Sequence, residues 1–331
     1  MLWLNMPDVY MIVARITMGL GNQMFQYAAA KALALEKQAE LKVDISAYTV
    51  YKLRKYELNN FFGIDAPVAT ADELDVYFYN HPVKRVWNKL YPKRKLRTFA
   101  LPYEESLLPR TLLNVHDFLV PPHTRKTYLE PHYHYDDDFF KAGDHIYLQG
   151  YWMSWRYFHK YEDAIRHEFT MLRGFDKIPP QLVKTIREEN SISLHIRRTD
   201  ITDAVTVQLK GLVPLEYYYN AVEFLRSKID KPVYYIFSDD IEWAKQHLAI
   251  KDAPVHFMSD VVTHSHEEDF YLMQQCRHNI IVNSTFSWWA AYLNGFKDKV
   301  VVAPQRWFNN THYNYKDVYP LSWNLIGWSA Y

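Results

Sequence analysis

The sequence predicts an α/β chain of two halves, each built on a parallel sheet, with a cleft between them. Three observations carry that prediction. Short apolar strands alternate with helical segments through 191–303, the pattern of βαβ units. The same strand–loop–helix opening stands at 11–36. Between them, Gly174, Pro179 and Pro180 cluster in a linker near 174–182. A chain of 331 residues has room for about two domains, and the expected division is 1–178 and 179–331. Ligands of parallel sheets lie outside the carboxyl ends of the strands.

The elements follow in order. Met11–Ile16 reads as a strand, Gly19-Leu20-Gly21 as a tight loop, and Gln23–Glu36 as an Ala-rich helix. Leu41–Val43 is the next strand. The stretch 50–140 has no clear period and reads as short helices and aromatic-rich loops. Ile146–Gln149 is a strand and Tyr157–Met171 a helix. In the second half, strands are expected at Ser191–Arg197, Val233–Phe237, Pro254–Met258, Asn279–Val282 and Val300–Ala303. Helices are expected at Pro214–Ile229, Ile241–Leu248, Glu267–Cys276 and Phe286–Leu293. Pro214 sits where its missing N–H costs nothing.

Composition narrows the function classes. Charge is balanced, 38 basic against 38 acidic, which argues against nucleic acid held by bulk electrostatics. Aromatics reach 17%, with 27 Tyr and 10 Trp, enough for sugar stacking but also for ordinary packing. The single cysteine, Cys276, rules out an internal disulfide and points to a reducing, cytoplasmic compartment. It lies in an apolar helical pattern, as inert packing does. The N-terminal stretch has no basic region, residues 1–10 read as an extension before the first strand, and no apolar run has the ~18 residues of a membrane span. Residues 84–97 hold seven Lys or Arg and no acid. A solvated face is the first reading, and a peripheral contact with the inner, anionic membrane face the second.

The richest stretch is His195-Ile196-Arg197-Arg198-Thr199-Asp200, at the end of an apolar strand. By alternation His195 and Arg197 share a face. Guanidinium binds phosphate in two-pronged fashion and keeps its charge, so Arg197 is the candidate diphosphate clamp. Arg198 points oppositely and braces the loop. Asp200 either orients an Arg or accepts a proton. Phe237-Ser238-Asp239-Asp240 ends the next strand. Asp239 with Glu242 reads as a capping box, or one acid accepts two N–H donors from a ligand ring. Asn283-Ser284-Thr285-Phe286 stands between a strand and a helix. It reads either as an ordinary N-cap or as hydroxyls and N–H groups that receive an anion. Of Trp288 and Trp289, one is expected in the core.

Other patterns are weaker. Gly19-Leu20-Gly21-Asn22-Gln23 suggests a dinucleotide loop with Asp44 on the ribose, but Met24 occupies the place of the third glycine. Asp136-Asp137-Asp138 reads as capping acids rather than a metal motif. No His/Cys set has zinc spacing, and His264 and His266 flank a serine.

Together GLGNQMFQYAAAKALA, LQGYWMSWRYF, HIRRTD, FSDD, EEDFYLM and NSTFSWWAAYLN closely resemble the bacterial α-1,2-fucosyltransferases of glycosyltransferase family 11, in family order from residue 15 to about 294. The resemblance implies a GT-B-like pair of facing Rossmann-type domains. It implies GDP-L-fucose as donor on the second domain, a terminal galactose 2-hydroxyl as acceptor on the first, and inversion with neither metal nor cofactor. It places Arg197 on the diphosphate, His195 on the nucleotide and Asp239 or Asp240 on guanine. Ser284 and Thr285, with Phe286 beside them, meet phosphate; Arg198 completes that set, and Gly21 and Asn22 approach the donor from the first domain. Core fucosyltransferases carry a Glu about ten residues past the motif His; here Val205 stands there. Asp200, with Asp203 behind it, is the expected base, and Glu130 the candidate from the first domain. The acceptor is expected near Glu130–Tyr135 and Tyr151–Phe158. Two other classes stay open: a nicotinamide-dependent oxidoreductase using the GLGNQ loop, and a non-catalytic sugar-binding protein.

Overall fold

The computed structural model describes residues 10–49, 54–78, 121–172, 175–199, 211–309 and 313–329. The basic stretch 84–97, the extension 1–9, and Asp200 and Asp203 lie outside them. The chain divides into two compact units. One comprises Met1–Asn59 and Ile64–Glu168; the other comprises Asn60–Gly63 and Phe169–Tyr331. The division therefore falls ahead of the 174–182 stretch.

The first unit is a parallel four-stranded sheet. Its strands are β1 (Met11–Arg15), β2 (Glu40–Asp44), β3 (Thr127–Leu129) and β4 (His145–Gln149), in the order β2-β1-β4-β3. β1 is buried throughout, which suits the apolar run Met11–Ala14; Arg15 at its end is buried too. Helix α1 (Leu20–Lys37) returns the chain from β1 to β2. Its buried alanines, Ala28, Ala29, Ala30, Ala32 and Ala34, let helix and sheet approach closely. It ends at Gln38, in the left-handed region at φ 52°, whose N–H reaches the Ala34 and Leu35 carbonyls. Two short helices follow, α2 (Leu58–Phe62), whose residues from Asn60 on belong to the second unit, and α3 (Ala71–Phe78). The helix expected over Tyr157–Met171 is only α4 (Glu162–Glu168), preceded by two 3-10 turns.

The second unit is a parallel six-stranded sheet in the order β10-β9-β8-β5-β6-β7. These strands are β5 (Ser191–Ile196), β6 (Val233–Ser238), β7 (Val255–Phe257), β8 (His278–Ile280), β9 (Val301–Pro304) and β10 (Asn324–Ile326). Its helices are α5 (Pro180–Glu188), α6 (Leu215–Arg226), α7 (Ile241–His247), α8 (His266–Gln275) and α9 (Thr285–Leu293). Ile192, Leu194 and Ile196 of β5 enter one apolar core with Tyr217, Ala221 and Leu225 of α6 and with Ile241 and Ala244 of α7. On the other face the centre is polar but satisfied. Asn279 Nδ2 donates to Ser193 Oγ at 2.7 Å, and Asn294 Nδ2 to Asn279 Oδ1 at 2.8 Å. Trp288 and Trp289 are both fully buried, not one of them, and Trp288 Nε1 donates to the Val318 carbonyl at 2.9 Å. Cys276 is enclosed, and burial pushes its thiol pKa up, away from reactivity.

Both sheets reverse strand order once. From β5 the chain builds β6 and β7 on one side, then returns to place β8 on the other. From β1 it builds β2 on one side, and β4 lies on the other. Such reversal points open crevices at the strands' carboxyl ends. The crevices lie between β5 and β8 in the second unit, and between β1 and β4 in the first. No helix among the described residues is long and apolar enough to cross a membrane.

Candidate functional site

The β5–β8 crevice collects most of the sequence-predicted residues. His195 is the fifth residue of β5, 8% exposed, paired in register with Phe237 and 5.9 Å, centroid to centroid, from the Phe286 ring. Arg197 follows the strand end directly and is half-buried. Arg198 is committed elsewhere. Its guanidinium carbon stands 3.7 Å over the Trp243 ring, and its Nε is 3.9 Å from Asp240 Oδ2. Cation–π contact with a side chain of α7 makes it a brace for the loop.

The two acids after β6 divide differently from the sequence reading. Asp240, not Asp239, caps α7: its Oδ1 accepts the Trp243 N–H at 3.1 Å. The capping-box assignment to Asp239 is therefore corrected by one residue. Asp239 turns to the β5 loop, where Oδ1 accepts Arg198 N–H at 2.7 Å. Its Oδ2 accepts Thr199 N–H at 2.9 Å and the Thr199 hydroxyl at 2.8 Å. Three donors on one carboxylate tie the loop bearing Arg197 to the end of β6.

At the end of β8, Asn283 Nδ2 reaches the Gly211 and Trp307 carbonyls, each at 3.3 Å. Ser284 occupies the N-cap of α9, yet its side chain makes no cap hydrogen bond. No hydrogen bond joins the Ser284 or Thr285 hydroxyl to another described residue. The ordinary side-chain capping role is thus not taken up at the start of this nine-residue helix.

One residue that sequence reasoning passed over stands nearby. Ser265 caps α8 by accepting the Glu268 N–H at 3.3 Å, and the Glu268 carboxylate reaches back to the His264 N–H at 2.7 Å, a variant of the capping box. That register turns Asp269 inward, where it accepts the hydroxyls of Ser259, at 2.6 Å, and Thr263. Ser259 Oγ in turn accepts the Ser238 N–H at 3.0 Å. Burial pushes the Asp269 pKa up to about 6 against the pull of the two hydroxyls. The S-x-x-E pattern at 265–268 was the available signal.

In the first unit, Gly19 is the N-cap of α1, Gly21 is buried, and Asn22 is half-buried in the first turn. Gln23, read as the end of the loop motif, and Gln26, read only as part of the following helix, are buried clamps. Gln23 Nε2 donates to the Met18 and Lys55 carbonyls and its Oε1 accepts Glu57 N–H. Gln26 Oε1 accepts Thr17 N–H, and its Nε2 donates to the Gly150 carbonyl at 3.1 Å. Asp44, the ribose candidate of the dinucleotide reading, is spent internally. It accepts the Tyr147 hydroxyl at 2.6 Å and Ser46 N–H at 2.9 Å. Glu130 is 0% exposed, and its two oxygens accept Tyr151 N–H at 2.6 Å and Trp152 N–H at 3.0 Å. A carboxylate so enclosed holds a loop and is not placed to take a proton from a substrate. Asp136 accepts the Tyr128 hydroxyl and Asp138 N–H. Asp138 precedes the 3-10 turn Phe139–Lys141 without a cap bond and pairs with Lys141 instead.

Comparison with known proteins fits this layout. The model of glycosyl transferase family 11 matches residues 9–327. The chain is 29% identical over 321 residues to an α-1,2-colitosyltransferase of Escherichia coli, covering 95% of this chain and 98% of that protein. It is 32% identical over 305 residues to the O-antigen biosynthesis glycosyltransferase WbnK of Escherichia coli, covering 88% and 92%. A galactoside α-(1,2)-fucosyltransferase 1 of Saimiri sciureus is 28% identical over 283 residues, 83% of this chain and 63% of that one. Among solved structures, NodZ α-1,6-fucosyltransferase soaked with GDP-fucose superposes with a TM-score of 0.48 at 16% identity, covering 86% and 93%. With the family model spanning nearly its whole length, the chain belongs to glycosyl transferase family 11.

Proposed function

We propose that the protein transfers L-fucose from GDP-β-L-fucose to the 2-hydroxyl of a terminal β-galactoside, with inversion and without a metal ion. One observation carries this reading: a guanidinium at the end of β5 and an uncommitted helix start at the end of β8 share the crevice where strand order reverses. Sugar–phosphate cleavage builds negative charge on the departing diphosphate. Arg197, with the N–H groups and hydroxyls at Ser284 and Thr285, stabilises that charge where it develops. His195 and Phe286 line the nucleotide side. Asp239 and Arg198 serve indirectly, by holding the loop. A nucleoside diphosphate leaves without a proton donor, so inversion needs one base for the acceptor hydroxyl. Asp200 is the proposed base, with Asp203 behind it.

A second donor deserves a parallel arm, because the colitosyltransferase relative aligns over 95% of this chain. The test incubates the protein with GDP-fucose or GDP-colitose, a panel of β-galactosides and EDTA, followed by linkage analysis. The expected product is fucose α-1,2-linked to galactose, formed at full rate in EDTA. Transfer from GDP-colitose alone moves the reading to that donor. Another linkage overturns the acceptor assignment, and loss of turnover in EDTA overturns metal independence.

A further inference from the structure

The β1–β4 crevice of the first unit is elaborately built, and the transfer step proposed above gives its residues no role. Two bulky residues near it hold left-handed backbone: Met18 at φ 68° and Trp152 at φ 55°. Each such conformation is costly for a residue with a side chain and persists only when its surroundings over-determine it. Here they do. The Met18 carbonyl accepts Gln23 Nε2 at 2.9 Å and the Tyr48 hydroxyl at 2.8 Å. Trp152 is 1% exposed, locked among Tyr128, Phe139 and Tyr157, with its N–H on Glu130. Gly150 has no room for a side chain, since a Cβ would lie 2.4 Å from Glu130 Cβ. Gln26 then pins the Gly150 carbonyl to α1.

The locks on Gly150 and Trp152 flank Tyr151. It lies between the pinned Gly150 and the strained Trp152, two residues past the end of β4. Its ring stacks on Tyr133 at 6.1 Å and 27°. Tyr133 belongs to the loop after β3, which also carries the stacked rings of His132 and His134, 3.4 Å apart. The same sheet end holds Arg15, 6% exposed, whose Nη1 has no hydrogen-bond partner among the described residues. A rigid aromatic platform at this sheet end suits a ligand with an apolar C–H face and hydroxyl edges. That is the chemistry of a hexopyranose, whose C–H bonds meet the negative face of a ring.

Building on the transfer reading, we infer that Tyr151 is the stacking platform for the acceptor hexose, and that Glu130 is the positioning residue that sets its ring. The test is steady-state kinetics on Tyr151→Ala, Tyr151→Leu, Tyr151→Phe and Glu130→Gln. Tyr151→Ala raises KM for the galactoside by about tenfold or more, a change worth about 1.4 kcal/mol per decade, while KM for GDP-fucose moves much less. Tyr151→Leu, which keeps bulk without the π face, behaves like Ala. Tyr151→Phe stays near wild type. Glu130→Gln, which removes one of two backbone acceptors, shows the same split between acceptor and donor KM. An unchanged acceptor KM in Tyr151→Ala, or a donor KM rising in step with it, overturns the assignment. If the wild type releases no GDP from GDP-fucose, the transfer reading fails separately. Galactoside binding followed by saturation-transfer NMR then decides: binding lost in Tyr151→Ala upholds the platform, and equal binding in both proteins sinks it.

Discussion

Replacing Asp239 with Asn separates two roles that predict the same loss of nucleotide affinity. The carboxylate accepts Arg198 N–H, Thr199 N–H and the Thr199 hydroxyl at 2.7–2.9 Å. Asn keeps one carbonyl acceptor and presents an NH₂ to the remaining donors, so one or two charge-assisted bonds are lost. Each is worth about 1.5–3 kcal/mol when protected from water. Asp239 is exposed, and solvent screening reduces the sum to about 1–2 kcal/mol. Coupled to the order of the Arg197 loop, that is roughly a five- to thirtyfold loss of affinity. The assay is calorimetric titration of GDP, IDP and UDP into both proteins; IDP lacks only the 2-amino group of guanine. A loop brace lowers affinity for all three by the same factor and leaves the GDP:IDP preference intact. If the preference for GDP over IDP collapses while UDP binding is unchanged, Asp239 reads the base and the brace argument fails.

Two further variants test the second unit. Asp269, with its pKa raised from 3.8 to about 6 by burial, is charged in the unfolded chain before it is charged in the folded one. Stability therefore falls by up to about 3 kcal/mol as pH rises through that window and is flat above it; Asp269→Asn removes this slope, and parallel denaturation curves for the two proteins from pH 4 to 7 would contradict it. The double variant Ser284→Ala, Thr285→Ala removes hydroxyls that cap nothing, so its thermal midpoint stays within a few degrees of wild type while GDP affinity falls; an unchanged affinity would show that the α9 start does not meet phosphate.

Legibility in the sequence tracked the range of the forces involved. The strands and helices of 191–303 were readable because their apolar periods are local and sustained. β3 (Thr127–Leu129) lies in the stretch without a clear period, and β10 (Asn324–Ile326) lies beyond the βαβ pattern that ends at 303, so neither was legible. α5 was taken for linker because of Pro179 and Pro180, yet they occupy its N-cap and first position, where proline is at home. At the site, alternation along β5 correctly put His195 on the face opposite the Ile192, Leu194 and Ile196 core. The choice between adjacent Asp239 and Asp240 turned on backbone angles that no pattern encodes. Gln23, Gln26 and Glu130 were the least readable, because their partners lie 21 to 124 residues away.

The most direct measurement is the affinity of Arg197→Ala for GDP relative to guanosine. If the guanidinium at 197 receives the diphosphate, the variant binds GDP at least about a hundredfold more weakly, the cost of a lost bidentate charge-assisted pair, while guanosine affinity holds. Equal affinity of wild type and variant for GDP would mean that the negative charge is met elsewhere.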